Sequence, residues 1–216
     1  MNYLVNFLWW SRPELESVYT QMYELSTQSF LLNFKSDSWV HCPFVYGHTQ
    51  AHHDDLFYRM FLDIYNLWSS GNNVFYVDID VLCVADFTVF GRHKVMTMFA
   101  PAGKGELDLN AGVKYFPLEM DNEVWQLGIR EWSAYLPKKD RIYNWGKDQD
   151  IYNIMMRSQP GFDRNAAIDY RLNYMPTACG EDAPQDPCLI HYWSSRGPYA
   201  AIEAMNSKFA SRTGES

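Results

Sequence analysis

Two aspartates, separated by a single residue, close the apolar run Asn73-Val-Phe-Tyr-Val-Asp78-Ile-Asp80-Val-Leu82. Val74 to Val77 are β-branched or aromatic and read as a buried strand. Side chains at i and i+2 of an extended chain point to one side, so Asp78 and Asp80 share one space. Two carboxylates there repel each other and are costly to take out of water. A hard divalent cation, Mn²⁺ or Mg²⁺, removes that cost, because it prefers carboxylate oxygens and keeps places open for substrate phosphates. The carboxyl end of a central strand is where open α/β sheets place ligands. The plainer alternative is a turn in which both Asp side chains cap backbone groups.

Other stretches could join such a site. Leu189-Ile-His191 ends a strand pattern, and a neutral imidazole suits Mn²⁺ beside two carboxylates. The loop after it, Ser194-Ser-Arg196-Gly197-Pro198, can fold over a phosphate. Arg59 stands among apolar residues, so a buried guanidinium would need an anion; a surface Arg paired with Asp55 or Asp63 is the alternative. Asn110-Ala111-Gly112 at a strand entrance suggests close backbone approach to a ligand, or an ordinary turn. Asp148-Gln149-Asp150 opens a helix whose free amides favour polar substrate groups, unless Asp148 simply caps it. His48 and His52, at i and i+4, could share a helix face and bind Zn²⁺, but Gly47 precedes them. That stretch reads better as a polar helix start, with His52 or His53 facing an acceptor.

The elements that position these residues follow from periodicity. Tyr3–Trp9 predicts a strand, Pro13–Leu25 a helix burying Leu15, Val18, Met22 and Leu25, and Ser29–Phe34 a second strand. Residues 35–49, with Pro43 and Gly47, read as irregular. A helix follows over Ala51–Trp68, then the Val74–Val77 strand, strands at Lys94–Ala100 and Gly112–Phe116, and helices at Glu119–Leu136 and Asp148–Met156. Short strands at Leu172–Met175 and Leu189–Trp193 close the chain, with fraying expected from Lys208. Strands alternating with helices call for a mixed, mainly parallel, Rossmann-like sheet flanked by helices in one domain, residues 1–207, with 208–216 a flexible tail. At 216 residues and 47% hydrophobic, the chain has material for such a core. Its eight Trp and fifteen Tyr exceed core needs, so some rings should line a cleft against sugar faces or bases. A net charge of −8 disfavours nucleic acid. No apolar run is long enough to cross a membrane, the start lacks a signal-peptide pattern, and no C-x-x-C pair occurs, so a cytoplasmic protein is expected.

Taken in order, these motifs resemble glycosyltransferase family eight, over about residues 55–199. They are Tyr-Arg59, Phe-Tyr-Val-Asp78-Ile-Asp80, Leu-Asn110-Ala-Gly-Val113, Lys-Asp148-Gln149-Asp150-Ile-Tyr-Asn153, Tyr-Arg-Leu-Asn173-Tyr-Met-Pro-Thr177 and His191-Tyr-Trp. The family includes glycogenin and bacterial lipo-oligosaccharide galactosyltransferases. The resemblance implies a GT-A fold and a retaining, Mn²⁺-dependent hexosyltransferase, with a UDP-linked donor such as UDP-glucose or UDP-galactose and a glycan or other hydroxyl acceptor. It implies that Asp78, Asp80 and His191 hold the metal, with Asp78 near the ribose. Arg59, Asn110, Ala111 and Asp148 would contact the donor, and Ser194, Arg196 and Gly197 the pyrophosphate. Gln149 would lie by the anomeric carbon, with Asp150, the rival nucleophile, beside it. The first strand lacks the family's base-binding alanine and aspartate, and Arg196 stands near the place of a family lysine. A metal-dependent nucleotidyl or phosphoryl transferase, and an idle sugar-nucleotide-binding module, are the other readings of the same carboxylates.

Overall fold

A nearly unbroken apolar run makes the first strand, β1 (Asn2–Trp10). The structure, a computed structural model, describes residues 1–35, 39–99, 109–138, 147–162, 170–176, 186–192 and 197–213. A 3₁₀ turn (Pro13–Leu15) leads into α1 (Glu16–Asn33). Next come β2 (Val40–His48), α2 (His53–Ser69), β3 (Asn73–Val77) and β4 (Val81–Cys83). They are followed by β5 (Thr97–Met98), β6 (Val113–Phe116), α3 (Asn122–Tyr135), α4 (Lys147–Arg157), β7 (Leu189–His191) and α5 (Pro198–Thr213).

The main sheet has the order β2-β1-β3-β6-β5. β1 runs parallel to β2 and β3, whereas β6 is antiparallel to both β3 and β5. The expectation of a mainly parallel sheet is therefore corrected to an even mixture. A second, antiparallel ribbon joins β4 to β7. Period-2 alternation sorts the sheet residues into two layers. Val5, Phe7, Val74, Tyr76 and Phe116 face α2, α3 and α4, where Phe61, Trp125, Trp132 and Met155 are fully buried. Leu4, Phe75, Val77, Val113 and Tyr115 face the other way, onto Phe30 and Phe34. Beside them Leu15 of the 3₁₀ turn and Val18 and Met22 of α1 pack on Leu82, Ile190 and the α5 residues Ala201, Ile202 and Met205. The result is one α/β domain with helices on both faces of the sheet. No helix among the described residues is long and apolar enough to cross a membrane.

Several expectations change. Ser29–Phe34 continues α1 instead of forming a strand. The segment holds no β-branched residue, and Phe30 and Phe34 stand one helical turn apart on the buried side. Ser29 Oγ accepts the Cys83 amide at 2.9 Å and ties this helix face to β4. Residues 40–48, expected to be irregular, form an edge strand. An edge tolerates Pro43, which lacks a donor, and Gly47, at φ +69°, sits where the β1–β2 register shifts. Among the described residues of the expected 94–100 strand, Thr97–Met98 form the paired strand β5. In place of the strand expected at Leu172–Met175, a 3₁₀ turn (Tyr170–Leu172) is followed by an isolated bridge from Tyr174 to Ile190. The last helix runs past Lys208 to Thr213, with Met205 buried and Phe209 packed beside it.

Gly128, on α3, marks the tightest helix contact. A Cβ there would lie 2.5 Å from Met155 Sδ and 2.8 Å from Phe61 Cζ. Overpacking of this kind costs about 1–3 kcal/mol, more than the few tenths of helix propensity that a β-branched residue gains over Gly. Gly128→Val is therefore expected to lower stability by about 1–3 kcal/mol, read as a lower urea midpoint with an unchanged slope.

Candidate metal and donor site

The strand β3 ends at Val77, and the Asp78 amide donates to Gly112 O at 2.8 Å. The chain then turns, with Val81 N bonded to Asp78 O, and enters β4. Pairing of Val81 with His191 across the β4–β7 ribbon delivers the imidazole to the two aspartates. His191 Nε2 lies 3.2 Å from Asp80 Oδ1 and 3.9 Å from Asp78 Oδ2. The Tyr76 hydroxyl occupies the other oxygen of Asp78.

The tautomer of His191 follows from its neighbours. Asn173 Nδ2 donates to Phe99 O at 2.7 Å and to Asn110 Oδ1 at 3.2 Å. Its Oδ1 is therefore the atom facing His191 Nδ1, at 3.1 Å, and must accept a proton from it. In the neutral ring Nε2 then carries a lone pair, buried and without a hydrogen-bond partner, directed at two carboxylates. A cation among these three groups satisfies all of them. Two hard oxygen donors and one imidazole suit Mn²⁺ or Mg²⁺, so the donor set fits the expected ion.

Charge perturbation follows from the same packing. Burial, with the neighbouring Asp80 charge, raises the Asp78 carboxyl to about 6, against the opposing pull of His191 and Lys114. Burial works against protonating His191, but Asp80 and Asp78 outweigh it and raise its pKa. Lys114 is a buried cation that no sequence pattern singled out. Its Nζ donates to Ala111 O and stands 3.8 Å and 4.3 Å from the Tyr76 and Tyr152 ring centroids. Burial pushes this ammonium down to about 8, opposed by Asp78 and Asp148. Burial likewise raises the Asp148 carboxyl, offset by Lys114.

These groups border a cleft of ≈ 330 Å³, lined by Asp78, Asp80, Asn110, Ala111, Gly112, Asp148 and Gln149. Phe7, Trp9, Tyr19 and Phe57 form aromatic walls. The loop 109–112 is held by α4. Asn153 Oδ1 accepts the Leu109 amide and its Nδ2 donates to Leu109 O, both at 2.9 Å, while Gln149 Oε1 accepts the Ala111 amide at 3.3 Å. Asn110, which lines the cleft, accepts the Gly112 amide at Oδ1 at 2.8 Å. Gly112 is small for a reason other than a ligand: a Cβ there would lie 2.3 Å from His191 Cε1.

Other expectations are placed differently. Arg59 is exposed, not buried, and its guanidinium carbon stands 4.7 Å from the Tyr46 ring centroid. It does not line the cleft, because the one-residue step from Met60, which does, carries it round the helix to the exposed side. Asp150 lies outside the cleft lining, 3.6 Å from Lys147 Nζ. Gly197, at φ +86°, opens α5. Ser194 and Arg196 lie outside the described residues. His48 ends β2 and cannot share a helix face with His52. Tyr76 and Asn173 were missed as site residues, although Tyr76 stands two residues before Asp78 and so shares its side of β3.

No protein-family profile and no curated protein sequence matches the chain. Solved structures do. A glycosyltransferase involved in glycosylating the major capsid of PBCV-1 superposes with a TM-score of 0.62 at 14% identity, covering 95% of this chain and 98% of that one. The galactosyltransferase LgtC, solved with donor and acceptor sugar analogs, gives 0.54 at 16% identity, over 98% and 96%. The glycosyltransferase GlyE of Streptococcus pneumoniae TIGR4 gives 0.56 at 12% identity, and this chain spans 64% of its length. The chain thus has a GT-A-like glycosyltransferase fold.

Protons and a cation compete for the same atoms here. With folded-state pKa values raised, Asp78 and His191 favour folding while protonated; the Asp78 contribution fades as pH rises through about 6, and that of His191 above its ordinary imidazole range. A cation compensates only above that range. The Mn²⁺-induced gain in Tm is expected to be negligible near about pH 5 and a few degrees near about pH 7.5, measured by scanning fluorimetry. Gly112→Ala, which displaces the His191 ring, is expected to abolish that gain.

Proposed function

We propose that this chain is a metal-dependent glycosyltransferase moving a hexose from a nucleoside diphosphate sugar to an acceptor hydroxyl. The observation that carries this reading is the convergence of Asp78, Asp80 and His191 at the rim of an aromatic-walled cleft in a glycosyltransferase fold. Asp78, Asp80 and His191 would hold Mn²⁺ or Mg²⁺. When bound, such an ion supplies positive charge to the departing diphosphate. The motif resemblance supports a UDP-linked glucose or galactose donor and retention of configuration.

The chain's own residues divide the remaining work. Asn110 offers its amide NH₂ to a sugar hydroxyl. Asp148, opening α4 beside it, offers an acceptor for another. The indole of Trp9 and the rings of Phe7 and Phe57 cover apolar faces of the ligand and exclude water. Gln149 reaches the cleft, whereas Asp150 pairs with Lys147 outside its lining, which favours Gln149 as the group beside the anomeric carbon. An amide is a poor nucleophile, so Gln149 positions and stabilises the electron-poor sugar without a covalent bond to it. The bond from the anomeric carbon to the phosphate oxygen breaks. The acceptor oxygen then bonds to that carbon from the same face, and its proton passes to the departing phosphate.

Incubation with a panel of UDP-hexoses and Mn²⁺, followed by UDP release, tests this. Asp80→Asn should cut the rate by at least about 10²-fold, the scale expected when several kcal/mol of charge stabilisation is lost. Gln149→Ala should lower kcat by about 10²-fold, and Asp150→Ala should leave it within a few-fold. UDP release that continues undiminished in excess chelator overturns the metal-dependent reading.

A further inference from the structure

A second cluster lies at the start of α2. His52, His53 and Asp54 bring three ligand atoms within 4.8 Å of one another. Asp54 is 1% exposed. Its Oδ2 accepts the Tyr135 hydroxyl at 2.7 Å, from the last residue of α3. That bond fixes the plane of the carboxylate and leaves Oδ1 buried with no aligned hydrogen bond. His53 Nε2 stands 3.0 Å from Oδ1, a spacing suited to two donors on one small cation with bonds of about 2.0–2.2 Å. His52 flanks them, its Nδ1 3.6 Å from Asp54 Oδ2. The same Nδ1 caps the Asp54 amide at 3.3 Å, long for a hydrogen bond, so its lone pair is weakly held.

This construction repeats the first site. In both, a tyrosine hydroxyl takes one oxygen of an aspartate and an imidazole Nε2 stands near the other, at 3.9 Å for the half-buried Asp78 and 3.0 Å for the buried Asp54. The positive end of α2 works against a cation, but only with about half a charge, and Asp54 and Asp55 in the first turn exceed it.

We propose that His52, His53 and Asp54 form a second cation site, suited to Zn²⁺ and separate from the Asp78–Asp80–His191 site. Two imidazoles and one carboxylate are borderline donors that favour Zn²⁺, whereas two carboxylates and one imidazole favour Mn²⁺. A cation here pins the start of α2 to the end of α3 through Tyr135. It also fixes the cleft wall, because the His53 ring packs edge-on against Phe57, 5.6 Å away at 81°. The site stands on its own geometry and does not depend on sugar transfer.

Metal-stripped protein dialysed against Zn²⁺, with bound metal counted by mass spectrometry, tests it without any activity readout. Wild-type protein is expected to retain one more equivalent than His53→Gln, and Asp80→Asn to keep that equivalent. Co²⁺ in place of Zn²⁺ should give a visible absorption band that His53→Gln abolishes. His52→Gln, whose amide can still cap α2, is expected to weaken Zn²⁺ binding at least about tenfold and serves if His53→Gln does not fold. Equal Zn²⁺ uptake by wild-type and variant proteins overturns the site and leaves a simple His53–Asp54 ion pair.

Discussion

The hydrogen bond between Asn173 Oδ1 and His191 Nδ1 decides which ring nitrogen carries the proton, and the cleft is built around that choice. Asn173 can accept there because its NH₂ is committed to Phe99 O and Asn110 Oδ1. Asn110 is held in turn by the Gly112 amide, and the Gly112 backbone lies so close under the His191 ring that no side chain fits. Asn153 and Gln149 of α4 clamp the same loop from the other side. Each group in this chain has its orientation fixed by the next, so one lone pair ends up aimed between Asp78 and Asp80. Such outer groups commonly set the geometry and basicity of a metal-binding histidine.

The electrostatics show what the site lacks. Asp78, Asp80 and Asp148 border one cleft, and Lys114 is a buried ammonium whose charge acts on Asp78 and Asp148. One ammonium, held between the rings of Tyr76 and Tyr152, offsets only part of that charge. Burial raises the Asp78 pKa most, and the Asp80 charge adds to it. Under the proposed function, a divalent ion and a diphosphate would bring further positive charge and the negative charge that positions it. The change of strand direction matters too. Because β6 runs antiparallel to β3, the loop entering β6 lies at the same edge as the end of β3, which brings Asn110 beside Asp78.

Much of this was legible in local sequence. Asp78 and Asp80 closing an apolar run mark a strand end, because alternation and charge are properties of a few adjacent residues. The buried faces of α1 and α2 follow from helical spacing, down to Leu15, Val18, Met22, Leu56, Met60 and Ile64. Short apolar runs misled. Ser29–Phe34 fits a strand or a helix by hydrophobicity alone, and its bond to β4 decides the matter. Pro43 and Gly47 suggest disorder locally but are admissible on a sheet edge, and no residue nearby says that the segment is an edge. Arg59 looked buried because its sequence neighbours are apolar, yet a helix turns adjacent residues to different faces.

The sequence by itself determined which groups could bind a cation and which stretches alternate or repeat with helical period, since both depend on residues near one another in the chain. Tertiary structure alone decided the partners: that β7 pairs with β4 and carries His191 to Asp80, and that Asn173 fixes its tautomer. It alone placed Lys114 over the Tyr76 ring and Tyr135 on Asp54. Contacts between distant segments depend on how layers pack and strands register, and no local pattern encodes them.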